Sequence, residues 1–243
     1  MNSKPCKITR LPAVSSVDTG VAGEHALISK ARRFRLDTLQ ISPGSFASRY
    51  DEEILAPIEH TRKRLSHSLA TQYVAVAPQH SDSNASLSET EWMGTLVVYG
   101  PKSETPTDRA QFSFQPLDKP EEKEVSLDSH SNDDVRVSAQ GQGLYYHLFG
   151  LFVSPQARGQ GLGRALIKAA MEDARANGVL NGALEVRVTI ALTTDNIDAM
   201  RLYQQCGFVV IEQGLFQPKP IMAVDQDKQE YAIMQCSMPL VCS

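Results

Sequence analysis

Residues 153–163 read VSPQARGQGLG. They follow the apolar run LFGLFV at 148–153, which predicts a buried strand, and they lead into a stretch with helical periodicity at 162–177. Glycines at 159, 161 and 163 permit positive φ angles and let a ligand approach the backbone closely. Because the N–H groups at a helix start lack intrahelical partners and lie at the positive end of the helix dipole, this turn is suited to an anion, most often a phosphate.

Three phosphate-binding patterns can be compared with this turn. A Walker loop requires G-x-x-x-x-G-K-[ST], but Gly163 is followed by Arg164 and alanine, so that pattern fails. A Rossmann fingerprint requires G-x-G-x-x-G early in a βαβ unit, whereas these glycines run G-x-G-x-G beyond the middle of the chain. The third pattern, [QR]-x-x-G-x-[GA] preceded by V-x-P, fits RGQGLG at 158–163 at every defined position.

The third pattern is the coenzyme A pyrophosphate loop of the GNAT superfamily of N-acetyltransferases, and the chain resembles a member. Downstream, NIDAMRLY at 196–203 followed by GF at 207–208 is similar to the family pattern N-x-x-A-x-x-L-Y-x-x-x-G-F. Upstream, RLDTLQISPGSF at 35–46 resembles the first-helix segment, and LFGLFVSP at 148–155 resembles a subset that acts on small substrates. The resemblance is strong over about 144–214 and weaker over 30–70, and two ordered motifs are more specific than one glycine-rich turn.

The hydrophobic pattern predicts alternating strands and helices, which indicates an α/β domain with a mixed sheet. Strands are expected at 7–11, 73–77, 92–99, 144–153, 183–192, 208–212 and 230–238, and helices at 24–40, 57–69, 159–177 (stopped by Gly178) and 196–206. The resemblance implies the GNAT arrangement: a mostly antiparallel sheet flanked by helices, in which the parallel strands 144–153 and 183–192 splay apart.

Residues 101–139 are rich in Pro, Ser, Asp, Glu and Lys and have almost no apolar periodicity. We expect a mobile insertion there, within a single domain spanning 1–243, and a surface insertion without function is favoured over a substrate lid.

Composition excludes several classes of protein. The 243 residues carry a formal net charge of −4 and are 42% hydrophobic, so a sizeable core is expected and a basic nucleic-acid footprint is not. No apolar run reaches a membrane-spanning length, and the N-terminus lacks the apolar core of a secretory signal. Four scattered cysteines without a C-x-x-C spacing argue against a metal site or disulfide framework and favour a reducing compartment, cytoplasmic or nuclear. The oligomeric state stays open between monomer and homodimer.

The resemblance implies acetyl-CoA as cosubstrate, with the N–H groups of 159–164 around its pyrophosphate. The glycines alone could also form a tight turn without a ligand, and Arg164 and Lys168 could be solvated charges. Phe152 and Val153 are expected to offer backbone groups to pantetheine, with a bulge that helps stabilise the oxyanion, and Asn196 to bind pantetheine, cap a helix, or both. The expected cofactor-binding residues are Phe152, Val153, Arg158, Gly159, Gln160, Gly161, Leu162, Gly163, Arg164, Asn196 and Tyr203.

Transfer to an amine requires a base, because a free primary amine is largely protonated at pH 7. His147 is the first candidate; it lies six residues before Val153, where several GNAT enzymes carry a glutamate, and strand alternation predicts that it shares a face with Phe149, Leu151 and Val153. A histidine packed in the sheet is the equal alternative. Glu185 is the second candidate, although a carboxylate at a strand end is more often a surface charge.

Tyr203 occupies the tyrosine position of the L-Y motif, where many relatives use the hydroxyl as a general acid toward the thiolate; a core tyrosine is the alternative. The sequence therefore predicts an acetyl-CoA-dependent N-acetyltransferase that acts on an amine, favouring a small molecule, by direct attack in a ternary complex. A protein lysine or N-terminal acetyltransferase and a non-catalytic acyl-CoA-binding module are the alternatives.

Overall fold

The computed structural model describes residues 6–46, 48–78, 86–103, 142–216 and 229–240. The strands are β1 (Lys7–Arg10), β2 (Ala70–Val76), β3 (Trp92–Ser103), β4 (Gly143–Val153), β5 (Glu185–Thr193), β6 (Val209–Phe216) and β7 (Gln229–Pro239). The helices are α1 (Ala22–Ile41), α2 (Tyr50–Leu55), α3 (Ile58–Leu65), α4 (Leu162–Leu180) and α5 (Ile197–Gln205), with short 3-10 turns at Pro43–Ser45 and Pro155–Ala157.

The strands form one sheet in the order β1-β2-β3-β4-β5-β7-β6. Among the described strands only β4 and β5 run parallel, and they pair over Gly143–His147 with Glu185–Thr189. Beyond the pair His147–Thr189, β4 stays paired only with β3 and β5 only with β7. The two strands therefore separate, and the predicted mixed, mostly antiparallel sheet with two splayed parallel strands is confirmed. We call the opening beyond His147–Thr189 the fork.

Helices cover both faces of the sheet. On one face, α4 buries Leu166, Ile167 and Ala170 in the cluster that also contains Leu144 and Leu148 of β4. On the other face, α1 buries Leu27, Ile28 and Ala31 in a cluster with Val74 and Trp92. Each fully buried aliphatic side chain contributes about 1.5–3 kcal/mol, so these two layers hold β4 and the helix that follows it in a defined relation.

A β-bulge interrupts β4. The β3 residues Thr95 and Val97 pair with Phe152 and Phe149, so β4 has one residue more than its partner over this stretch. Gly150 in that stretch has φ +59°, a left-handed value that glycine adopts without a steric penalty. The bulge was expected at Phe152 and Val153, and it lies just before them, between Phe149 and Phe152.

The bulge reverses the alternation of side chains, because one extra residue shifts every later residue to the opposite face. His147 contacts Phe149, with ring centroids 4.2 Å apart. Leu151 and Val153, in contrast, pack in the cluster on the α4 face. The prediction that His147 shares a face with Phe149 is therefore confirmed, and the prediction that it also shares one with Leu151 and Val153 is wrong.

The boundaries of β3 and α4 differ from the sequence prediction. Strand β3 continues to Ser103, so the first residues of the expected 101–139 insertion are sheet, and the rest of that segment lies outside the described residues. Helix α4 begins at Leu162 and continues through Gly178 instead of stopping there. A Cβ at Gly178 would lie 2.4 Å from Val186 of β5. This glycine therefore permits close packing of helix on sheet and does not end the helix.

The segment before β2 also differs from the prediction. Helix α3 ends at Leu65, short of the predicted residue 69, and β2 begins at Ala70. Helix α2, of six residues, was not predicted, since so short a helix shows little periodicity. The single-domain organisation over 1–243 stays a prediction.

Candidate functional site

The glycine-rich turn leads directly into α4. Gly159 and Gly161 have φ angles of 75° and 78°, and Gly161 is the N-cap residue of the helix. No heavy atom lies within 4 Å of an ideal Cβ at either position, so both glycines face open space. The first N–H groups of α4 have no partner within the helix. The turn can therefore hold an anion against bare backbone, as the sequence predicts.

The third glycine has a different role. Gly163 is buried, and a Cβ there would lie 2.9 Å from Cδ2 of Leu202 in α5 and 3.8 Å from Cγ2 of Val153 in β4. The first turn of α4 therefore packs against both α5 and the end of β4. Since α5 follows β5 along the chain, the turn lies at the mouth of the fork between β4 and β5.

The arginines in and beside the turn form hydrogen bonds to neighbouring strands and helices. Nε of Arg158 donates to the carbonyl oxygen of Val153 at 3.1 Å, and its Nη2 donates to Oγ of Ser42, the C-cap residue of α1, at 3.4 Å. Nη2 of Arg164 donates to the carbonyl oxygen of Gln205 at 3.0 Å. Both guanidinium groups stay exposed and keep donors for an anion in the turn, because each has five N–H groups.

Lys168 lies further along α4, with Nζ 3.6 Å from Glu172 in an exposed i,i+4 ion pair. Such a pair contributes little to stability, and its position favours the solvated-charge alternative for Lys168.

His147 and Thr189 form the base of the fork. The His147 side chain is buried, only 3% exposed, and its Nδ1 lies 2.8 Å from Oγ1 of Thr189. Burial lowers the pKa of His147 to about 3, because an apolar environment disfavours the charged imidazolium. The imidazole is therefore neutral at physiological pH, and it is a weaker base than an exposed histidine.

Glu185 lies at the other end of the parallel pairing. It is four residues before Thr189 in β5, or about 13 Å at the rise of an extended strand. Its Oε2 accepts a hydrogen bond from Nε of Arg187 at 2.6 Å, and Arg187 also contacts the hydroxyl of Tyr145. This geometry favours the surface-charge alternative for Glu185.

Helix α5 carries the second motif. Its N-cap residue is Asn196, whose Oδ1 accepts from the backbone N–H of Ala199 at 3.2 Å, so the helix-cap role is observed. Tyr203 is 3% exposed and packs edge-on against Phe208, with centroids 5.4 Å apart. Burial raises the pKa of Tyr203, so the phenol keeps its proton and can act as a donor.

Three features of the site were not found from the sequence: the bulge residue Gly150, Ser42 beside Arg158, and Thr189 beside His147. Gly150 had a usable signal, since a glycine inside a strand pattern often marks a bulge. Thr189 had none, because its position opposite His147 depends on the register of two strands that are distant in sequence.

Within the described ranges, no three His, Cys, Asp or Glu side chains lie close enough together to hold a metal ion. No helix in those ranges combines the length and apolar character that crossing a membrane requires.

Comparison with known proteins agrees with this geometry. The family model described as "Acetyltransferase (GNAT) family" matches residues 129–208, which include the glycine-rich turn and α5. The matched residues make up about a third of the chain, and over that part the chain is similar to this family. GCN5-related N-acetyltransferase 6, chloroplastic, from Arabidopsis thaliana is 31% identical over 81 residues, which is 33% of this chain and 26% of that protein. The match thus spans about a quarter of the length of that curated relative.

Solved structures share the fold at low identity. A GNAT-family acetyltransferase from Streptococcus pneumoniae superposes with a TM-score of 0.55 at 15% identity, over 96% of this chain and 100% of that chain. Arabidopsis thaliana NAA60, solved in complex with a bisubstrate analogue, gives a TM-score of 0.53 at 14% identity, over 96% and 99%. At these identities the likeness shows the fold alone.

Proposed function

We propose that this chain is an N-acetyltransferase that transfers the acetyl group of acetyl-CoA to an amine by direct attack in a ternary complex. The observation that carries the proposal is the position of the glycine-rich turn: an open anion site at the start of α4, beside the fork between β4 and β5. A thioester cofactor needs both features, one for its pyrophosphate and one for its extended pantetheine arm. Arabidopsis NAA60 has also been solved with acetyl-CoA, which supports the choice of ligand.

The cofactor would enter with its pyrophosphate on the backbone of 159–164 and beside Arg158 and Arg164. The pantetheine arm would run along the free edge of β4 at Phe152 and Val153, with Asn196 on the opposite side of the fork. An extended polyamide can pair with an open strand edge as an added strand does. The thioester would then lie near the bulge at Gly150, whose backbone is turned out of the β-ladder.

The chemistry requires one proton to leave the amine and one to reach the thiolate. In this proposal His147, or water bonded to it, accepts the proton from the attacking amine nitrogen. Backbone N–H groups at the bulge stabilise the tetrahedral oxyanion, and the C–S bond breaks as the Tyr203 hydroxyl gives its proton to sulfur. The alternative base, Glu185, is less well placed because it is paired with Arg187 away from the fork.

We favour a small-molecule amine as acceptor, because LFGLFVSP at 148–155 resembles the small-substrate subset of the family. A protein lysine or N-terminus is the second candidate. The cytoplasmic or nuclear location and the monomeric or homodimeric state stay predictions.

Titration calorimetry of acetyl-CoA tests the cofactor site. We expect binding by the unmodified protein and a loss of at least 100-fold in Gly161→Asp. A carboxylate about 5 Å from a phosphate costs about 3 kcal/mol at an effective dielectric constant of about 20. Gly161→Asn controls for side-chain size without charge. Gly20→Asp, at another open glycine with φ +69°, controls for the strain of aspartate in a left-handed position.

Equal affinity of Gly161→Asp and the unmodified protein would refute the loop assignment. Thiol release in a panel of small amines and of peptides with free N-termini or lysines then separates the two acceptor classes. Binding of acetyl-CoA without turnover by any acceptor would favour the non-catalytic alternative.

A further inference from the structure

Two aromatic side chains lie beside His147 on the face of the sheet opposite α4. Leu148 packs in the cluster with α4, so its neighbours His147 and Phe149 face away from that helix. Tyr99 of β3 is paired with His147, and the side chains of a directly opposed pair share a face. The ring centroid of Phe149 lies 4.2 Å from that of His147 and 6.4 Å from that of Tyr99. We call Tyr99 and Phe149 the aromatic wall.

The aromatic wall is partly exposed, unlike the neighbouring part of the same face. Helix α1 packs over Val74 and Trp92, which are buried, whereas Tyr99 and Phe149 are each only partly buried. Beside the wall, an ideal Cβ at Gly150 would meet no heavy atom within 4 Å, so the bulge borders open space. The wall therefore lies next to the place where the proposed thioester would react.

The charges around the wall do not suit an acceptor with a second positive charge. The sequences of β3, β4 and β5 contain one acidic residue, Glu185, and it is paired with Arg187. Nζ of Lys102 lies 5.0 Å from the ring centroid of Tyr99, so a cation already lies at that ring. Burial lowers the pKa of His147, which shows that the surroundings of its ring disfavour a positive charge.

We propose that the acceptor is a monoamine that carries an aromatic ring, and that this ring packs against Tyr99 and Phe149 while the amine lies beside Gly150. The proposal rests on the proposed function, because it names the class of amine that the transfer reaction would use. Edge-to-face or offset packing of the substrate ring on the wall adds to the gain from burying apolar surface. A polyamine would instead bring a second cation near Lys102, where β3, β4 and β5 offer it no unpaired carboxylate.

Thiol release with three amines tests the class of acceptor. Phenethylamine carries one aromatic ring, n-propylamine is a short amine without a ring, and putrescine carries a second amine. We expect kcat/KM for phenethylamine to exceed that for each of the other two by about tenfold or more. An equal or higher kcat/KM for n-propylamine or putrescine overturns the proposal.

Substitutions at Phe149 test whether the aromatic wall causes the preference. Phe149→Leu removes the ring and keeps an apolar side chain, so kcat/KM for phenethylamine should fall about tenfold. The value for n-propylamine is the internal control and should change by less than about threefold, since a general structural defect lowers both values alike. Phe149→Tyr keeps the ring and should keep the preference. An equal loss with both amines overturns the role of the wall. Should Phe149→Leu fail to fold, Tyr99→Leu replaces it.

Titration calorimetry in the presence of coenzyme A distinguishes a failure of this proposal from a failure of the proposed function. It needs no turnover, and we expect phenethylamine to bind more tightly than n-propylamine, with the difference lost in Phe149→Leu. Equal affinities for the two amines in the unmodified protein overturn the acceptor class, even if the protein is an active enzyme. Selective binding of phenethylamine without turnover of any amine supports the aromatic wall and counts against the proposed function alone.

Discussion

The buried state of His147 predicts a specific dependence of stability on pH. The ordinary pKa of histidine is about 6.5, and burial lowers that of His147 in the folded protein to about 3. As the pH falls, the unfolded chain therefore binds the proton before the folded protein does. The stability associated with the neutral imidazole is complete well above pH 6.5, declines as the pH falls through 6.5, and is lost by about pH 3.

The size of the effect follows from the two pKa values. Titration of His147 should lower the free energy of unfolding by about 2 kcal/mol between pH 7 and pH 5. Below pH 5 the free energy of unfolding should fall by about 1.4 kcal/mol for each pH unit. His147→Gln removes the titrating ring and should remove this share of the pH dependence, although the variant starts from a lower stability at pH 7.

Urea unfolding at pH 7, 6 and 5 measures the effect in the unmodified protein and in His147→Gln. The matched control is His67→Gln, which replaces an exposed histidine. The reasoning predicts that the unmodified protein and the control lose about 2 kcal/mol more than His147→Gln over this range. Parallel pH dependences for all three proteins would show that His147 is not held in the buried, neutral state.

Two further substitutions test the packing of α4 and the role of Tyr203. Gly178→Ala should destabilise the fold by about 1–2 kcal/mol in urea unfolding, since overpacking against Val186 outweighs a gain in helix propensity of about 1 kcal/mol. Gly23→Ala in α1, where a Cβ meets nothing within 4 Å, is its control and should be neutral or stabilising; equal effects would contradict the close-packing argument. Tyr203→Phe should lower kcat on the order of 100-fold in a thiol-release assay, because it removes the hydroxyl that we propose as the proton donor for the thiolate. Tyr146→Phe, another buried tyrosine whose pKa burial raises, should retain turnover, and full activity in Tyr203→Phe would leave that residue a core tyrosine.

Most of the strands and helices could be predicted, because they follow from hydrophobic patterns in consecutive residues. The apolar run at 148–153 predicts β4, and the helical periodicity after it predicts α4. The boundaries were less predictable where packing overrides local preference. Gly178 reads as a helix stop, yet the helix continues there because close approach to β5 requires a residue without a side chain.

The candidate site divides in the same way. The sequence by itself determined the glycine-rich turn at the start of α4, because glycines that adopt positive φ angles and the start of a helix are properties of consecutive residues. Only the tertiary structure decided which side chains meet at the fork. The bulge at Gly150 reversed the faces of Leu151 and Val153, and the register of β4 on β5 brought Thr189 to His147. Strand register is set by the packing of the whole sheet, and a change of one residue moves every later side chain to the other face.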